Sequence, residues 1–306
     1  MKSVYSRKVY DLEKYGCLPG AAADRRSLAT QLHALLAKRP DCRIGRMSNN
    51  RIPGFWTDDR GNLRLGSEFN FTTTLLLVPI FDRNGMIRAC QIRSIGIVPK
   101  GCSKYFWFSS AGKLGGSSPG SPLHYAAASL STLRPILVTE GPLKADIAKA
   151  FFADHDIAAS AGVSCSHDEI VDAARSRQLD IAFDMDSFTN PHVAGAMARL
   201  IGRRLTDQIT HGYQDALRIL VWDKRANGLD EALIQGRSIN SVTPNDWFQR
   251  LTPACHFAAK NAFARFKAVG HDLGTVFHNR RKKRLAERRT IEIKDSVHER
   301  NPYCAA

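Results

Sequence analysis

Nowhere in the 306 residues do two cysteines stand three positions apart, as a Cys-x-x-Cys pair would require. The seven cysteines, at 17, 42, 90, 102, 165, 255 and 304, are scattered and odd in number. That spacing excludes a zinc ribbon and speaks against a disulfide framework, so reduced thiols in a cytoplasmic protein are expected. A phosphate-binding Gly-x-x-x-x-Gly-Lys-Ser/Thr loop is also missing; Gly112 to Ser118 reads "GKLGGSS" and does not supply one, which excludes a helicase-type motor. The longest apolar run, "TLLLVPIF" from Thr74, is far below the roughly 20 residues of a membrane span. The opening "MKSVYSRKVYDLEKYG" has no apolar stretch, so neither a secretory leader nor a membrane partner is expected. Acidic residues are in short supply, 29 against 44 Lys and Arg, for a net charge of +15. Such an excess favours an anionic partner.

What is present has ordinary globular composition, 43% hydrophobic and 8% aromatic. The length suits two domains, or one large domain with an appendage. In "SLATQLHALLAKRP", Ser27 is a candidate N-cap, Leu28, Leu32, Leu35 and Leu36 share a face, and Pro40 is a stop, which predicts a helix. "LLLVPIFDRNGMIRACQIR" predicts a hairpin turning at Asp82-Arg83-Asn84-Gly85. Gly112 to Pro122, rich in Gly, Ser and Pro, reads as a flexible connection and a domain boundary. From about 133 to 236 short buried strands ("PILVTE", "DIAASAG", "LDIAFD", "LRILVWD") alternate with helices. That alternation predicts an α/β fold, a parallel sheet flanked by helices, preceded by an α+β region. The expected domains are 1–120, 121–240 and a basic, partly helical extension over 241–306.

Acids in this basic chain gather at strand ends, where ligands bind in parallel α/β sheets. Glu140 closes one strand before Gly141, Asp184 and Asp186 close another, and Asp230 with Glu231 follows a third across a turn. Strand alternation would point Asp184 and Asp186 the same way. Two carboxylates so placed repel each other unless a cation lies between them. Converging carboxylates from separate strands suit Mg²⁺ or Mn²⁺, which can polarise phosphoryl oxygens and stabilise a leaving group. An acid after a strand also often just caps the next helix.

In their order along the chain, "ILVTEG", "IAFDMDS" and "NGLDEAL" resemble the three motifs of a Toprim domain, and "VPIFDRNGMIRACQIR" with "KYFWFSS" resembles the segment preceding it in bacterial-type primases. "IPGFW", "TEGPLKAD" and "FDMDSFTNPHV" are most similar to Toprim proteins of phages, plasmids and integrative elements; the resemblance covers about 45 to 237. It implies a primase, a metal-dependent nucleotidyltransferase that makes primers on single-stranded DNA from nucleoside triphosphates. It further implies that Glu140 is an acid, base or metal-binding group and that Asp184, Asp186 and Asp230 are Mg²⁺ ligands. Arg93 and Lys104 match basic residues that approach nucleotide or template phosphate. Helicase or replication initiator functions would belong to separate chains. A Toprim nuclease and a non-catalytic nucleic-acid-binding accessory protein are the rival readings.

Where cellular primases usually carry an acid after the Glu-Gly pair, this chain has Lys144. It reads either as an exposed helix lysine or as a positive charge near the acids able to bind phosphate. "KYFWFSS" puts Tyr105, Phe106, Trp107 and Phe108 beside Lys104, as core rings or as rings that stack on bases. Arg281, Lys282, Lys283 and Arg284 lie in the densest positive run, either a solvated tail or a phosphate-binding segment.

Overall fold

A computed structural model describes residues 14–38, 52–66, 70–72, 74–98, 100–101, 103–127 and 134–266. The chain falls into two compact units, Met1–Met185 with Gln214–Ser241, and Asp186–Tyr213 with Val242–Ala306.

The first unit opens with β1 (Gly16–Leu18), α1 (Ala22–Ala37), β2 (Phe55–Thr57), β3 (Leu63–Leu65), β4 (Leu75–Phe81), β5 (Ile87–Ser94) and β6 (Tyr105–Trp107). β1, β4, β5 and β6 form an antiparallel sheet in the order β1-β4-β5-β6, while β2 and β3 pair separately. The expected hairpin joins β4 to β5. The Asp82 carboxylate accepts from the amides of Asn84 at 2.9 Å and Met86 at 3.0 Å, so the turn is held by its own first residue. The core of this sheet is built from Leu18, Ala29, Leu65, Leu75, Ile92 and Phe108.

Helix α1 starts five residues before Ser27, the cap expected from sequence. Its first amide, Ala22 N, donates to the side chain of Asn70 at 2.8 Å, so the cap comes from a remote loop. Ser27 is interior and its hydroxyl accepts from Gln31.

The same unit continues with β7 (His124–Tyr125), β8 (Ile136–Glu140), α2 (Pro142–Ala148), β9 (Asp156–Ser160), α3 (His167–Ala173) and β10 (Leu179–Ala182). After α4 (Pro191–His211) come β11 (Leu217–Val221), α5 (Leu229–Ile234) and β12 (Asn240–Val242). The six-stranded sheet runs β12-β11-β10-β8-β9-β7, with β8, β9, β10 and β11 parallel and β7 antiparallel to β9. Strand β8 buries Ile136, Leu137 and Val138 in succession, as a strand covered on both faces must. Leu137, Ala145, Ala148, Ala182, Trp222, Leu229 and Ala232 belong to one core cluster that joins the sheet to α2 and α5. The architecture is the expected α/β one, parallel strands flanked by helices after an α+β region. Gly112 to Pro122 connects the two sheets within this unit.

The second unit holds α4, α6 (Pro244–Gln249) and α7 (Pro253–Ala264), with α4 packed along α7. Helix α4 starts at Asn190, whose side chain caps it by accepting from His192 N at 3.1 Å. Among the described residues no helix is long and apolar enough to cross a membrane.

Candidate active site at the sheet switch point

Strands β8 and β10 are neighbours, yet β8 leads through α2 to β9 on one side and the chain leaving β10 returns in β11 on the other. Their carboxyl ends therefore flank a topological switch point, where the departing connections leave a crevice. Glu140 is the last residue of β8, in register with Ser160 of β9. Gly141 follows with φ 86°, a left-handed turn that glycine adopts without strain, and Pro142 opens α2. One turn into α2, Lys144 faces back over the strand ends.

Asp184 is the acid bonded to Lys144. The ammonium donates to Asp184 Oδ1, and Asp184 Oδ2 accepts from the Asn227 side chain at 3.2 Å. Asp230, in the first turn of α5, is 6% exposed. Burial works to lower the pKa of Lys144, but Asp184, Asp230 and Glu140 outweigh it and hold the ammonium above the ordinary lysine value. A Cβ on Gly228 would fall 2.4 Å from Asp230 Oδ1 and 3.1 Å from Lys144 Cε, so the missing side chain leaves the space these two groups share. Lys144 is thus half-buried and aimed at the carboxylates.

Beside this cluster lies a cleft of about 160 Å³ lined by Gln91, Tyr105, Glu140, Gly141, Lys144 and Ala161, among others. Tyr105 of β6 pairs in register with Arg93 of β5, whose guanidinium lies 5.4 Å from the ring centroid. Burial pushes the Tyr105 phenol up, against the opposing charges of Arg93 and Lys144. Alternation along β6 thus divides the "YFWF" rings. Phe106 and Phe108 pack into the N-terminal core, with Phe106 stacked on Phe71 at 5.4 Å, while Tyr105 faces the cleft.

No family model matches the sequence, and no characterised protein matches it as a relative. Solved primases are similar in fold. A DNA primase domain from Pseudomonas aeruginosa is 18% identical with a TM-score of 0.49, over 77% of this chain and 68% of that one. The zinc-binding and RNA polymerase domains of the Aquifex aeolicus primase are 12% identical with a TM-score of 0.49, over 84% and 63%. The RNA polymerase domain of the Mycobacterium tuberculosis primase is 16% identical with a TM-score of 0.49, over 92% and 87%. The chain spans less than two thirds of the Aquifex chain. At these identities the likeness is one of fold alone.

Several sequence expectations change here. β10 ends at Ala182, and Met185–Phe188 make a short 3-10 turn, so strand alternation does not reach Asp184 and Asp186. Asp186 opens the second unit, where its carbonyl accepts from Thr189 N and Asn190 N. Lys104 is exposed just before β6 and is absent from the cleft lining. Arg281, Lys282, Lys283 and Arg284 lie outside the described residues. Asn227 and Gly228 are the residues that sequence reading passed over. They stand in the quoted "NGLDEAL", where only the acids were taken as functional.

The donor chemistry around Lys144, carboxylates and one side-chain amide, is that of a hard divalent cation. Among the described residues, however, no group of three Asp, Glu, His or Cys is poised to hold an ion. Of the expected acids, Asp184 is bonded to the Lys144 ammonium, and Asp230 borders the same small space. Mg²⁺ is commonly held by one or two carboxylates together with substrate phosphates, and the residues fit it in that form.

Proposed function

We propose that the chain is a primase-type nucleotidyltransferase, joining nucleoside triphosphates into primers on a single-stranded DNA template, as part of a plasmid, phage or integrative element. The observation that carries this reading is the Lys144–Asp184 ion pair at the switch-point rim, with Asp230 bordering the same space and Glu140 on the wall of the adjoining cleft lined by Tyr105. The Toprim motif order supports it. In this reading the domains remain 1–120, 121–240 and 241–306, and the roles of Asp186, Lys104, Arg281, Lys282, Lys283 and Arg284 rest on the sequence pattern alone.

The cleft takes the nucleotide. Tyr105 offers a ring face for a base, and Arg93, tethered to that ring, supplies a guanidinium for phosphate oxygens. Lys144 adds a compact charge with three donors for the triphosphate. Glu140, on the cleft wall, accepts the proton of the attacking hydroxyl, a carboxylate role that needs only hydrogen-bond reach. Mg²⁺ or Mn²⁺ would be held by Asp184 and Asp230 with the phosphates, supplying charge neutralisation and polarisation of the phosphoryl group. Fixed charges of this kind act on the transition state, where negative charge moves onto the leaving phosphates.

The test is incubation of the protein with single-stranded DNA, Mg²⁺ and labelled nucleoside triphosphates, beside Asp184→Asn. New oligonucleotides from wild type alone are expected. Shortened template would mean a nuclease. If neither appears while DNA is bound in a salt-sensitive way, the chain is an accessory binding protein.

A further inference from the structure

We propose that Lys144 is a built-in substitute for one metal ion. Its ammonium occupies a cation position within the carboxylate cluster, so the free protein binds divalent ions weakly and takes one up firmly only with a nucleotide's phosphates. The inference rests on the proposed phosphoryl-transfer reading of the site.

Geometry is the first support. Lys144 Nζ donates directly to Asp184, and it lies 3.3 Å from the point at which a Gly228 Cβ would also meet Asp230 Oδ1. The ammonium and two carboxylates from different parts of the chain therefore share one small space. Charge is the second. Counted formally, Glu140, Asp184 and Asp230 (−3) against Lys144 (+1) leave −2, the complement of one divalent ion rather than two. Chemistry is the third. An ammonium offers three donors to oxygen, as an ion offers several coordination positions, but cannot be exchanged or chelated away. Substrate phosphates that draw Lys144 towards themselves would free Asp184 and Asp230 for an ion, so nucleotide and metal would arrive together.

The experiment measures Mn²⁺ binding to the full chain by electron paramagnetic resonance, without nucleotide and then with a non-hydrolysable triphosphate analogue. Wild type, Lys144→Met and Lys144→Met/Asp184→Asn are compared, each checked for folding by circular dichroism; Lys144→Gln replaces the Met variant if that fails to fold. Removing a like charge within a few ångströms should tighten nucleotide-free Mn²⁺ binding at least about tenfold, and the double variant should lose that gain. Nucleotide should strengthen Mn²⁺ binding more in wild type than in Lys144→Met. Unchanged or weaker nucleotide-free binding in Lys144→Met overturns the substitution while leaving the metal-assisted reading standing. Absence of Mn²⁺ binding in every protein, with and without the analogue, overturns both.

Discussion

Asn227 holds Asp184 in place from 43 residues further along the chain, its side-chain amide donating to Asp184 Oδ2 at 3.2 Å. The same residue's carbonyl accepts from Met185 N at 3.0 Å, and its own amide donates to Glu231 at 3.0 Å. Two bonds thus fasten the segment after β10 to the turn before α5, fixing the direction of a carboxylate that would otherwise swing on a loop. Groups that orient a ligand are worth about 10–100-fold in metal affinity or activity. Asn227→Ala should lower primer synthesis, or Mn²⁺ affinity in the presence of nucleotide, by that factor. Its melting temperature should fall only a few degrees, as measured by differential scanning calorimetry.

Gly228→Ala should damage the site more than the fold. The backbone at Gly228 has φ −95°, which alanine adopts freely, so the substitution carries no conformational strain. The new methyl would instead lie 2.4 Å from Asp230 Oδ1 and 3.1 Å from Lys144 Cε. Both groups must move, and displacing reacting groups by about an ångström costs on the order of a hundredfold in rate. Steady-state primer synthesis should drop by that order while the far-ultraviolet circular dichroism spectrum stays that of wild type.

Those two residues also show where sequence reading stops. The hairpin at Asp82–Gly85 was legible because it is held by a side chain within the turn itself. The start of α1 was not, because its cap, Asn70, lies 48 residues away. The β-α alternation gave the sheet and the strand-end acids, since burial of whole strands leaves continuous apolar runs. Alternation does not carry to Asp184 and Asp186, because β10 ends at Ala182 and Met185–Phe188 form a 3-10 turn. For Lys144 the sequence left two readings, an exposed helix lysine or a charge near the acids, because no local pattern marks its partners. They arrive from β8, from the end of β10 and from α5, and only the folded sheet brings them together.

Asp146, two residues after Lys144 in α2, anchors that helix to the rest of the first unit. Tyr15 donates to its Oδ2, while Lys14 Nζ and His124 Nε2 lie 3.5 and 3.6 Å from Oδ1. Burial works to raise its pKa, but the neighbouring His124 ring, the hydrogen bond from Tyr15 and the charge of Lys14 hold it below the ordinary carboxylate value. A folded pKa below the unfolded one gives stability that is present above the unfolded value and lost as pH falls through the folded value. Asp146→Asn should cost about 2 kcal/mol at pH 7. Urea titrations from pH 5 down to pH 3 should show a shallower loss of stability in the variant than in wild type.

His155 should work in the opposite direction. It sits just before β9, its Nε2 3.0 Å from Asp180 Oδ2 and its Nδ1 2.8 Å from Asp154 Oδ1. The Asp180 bond, helped by Asp154, outweighs partial burial and lifts its pKa above the ordinary 6.5. A folded pKa above the unfolded one means that the protonated pair stabilises fully below about pH 6.5 and that this stability fades as pH rises through the folded value. Asp154 is solvent-facing, so its half of the interaction is screened and adds little. His155→Gln should therefore melt lower than wild type at pH 6 and approach it at pH 8.5. Thermal midpoints that differ equally at the two pH values would show that the imidazole is held uncharged.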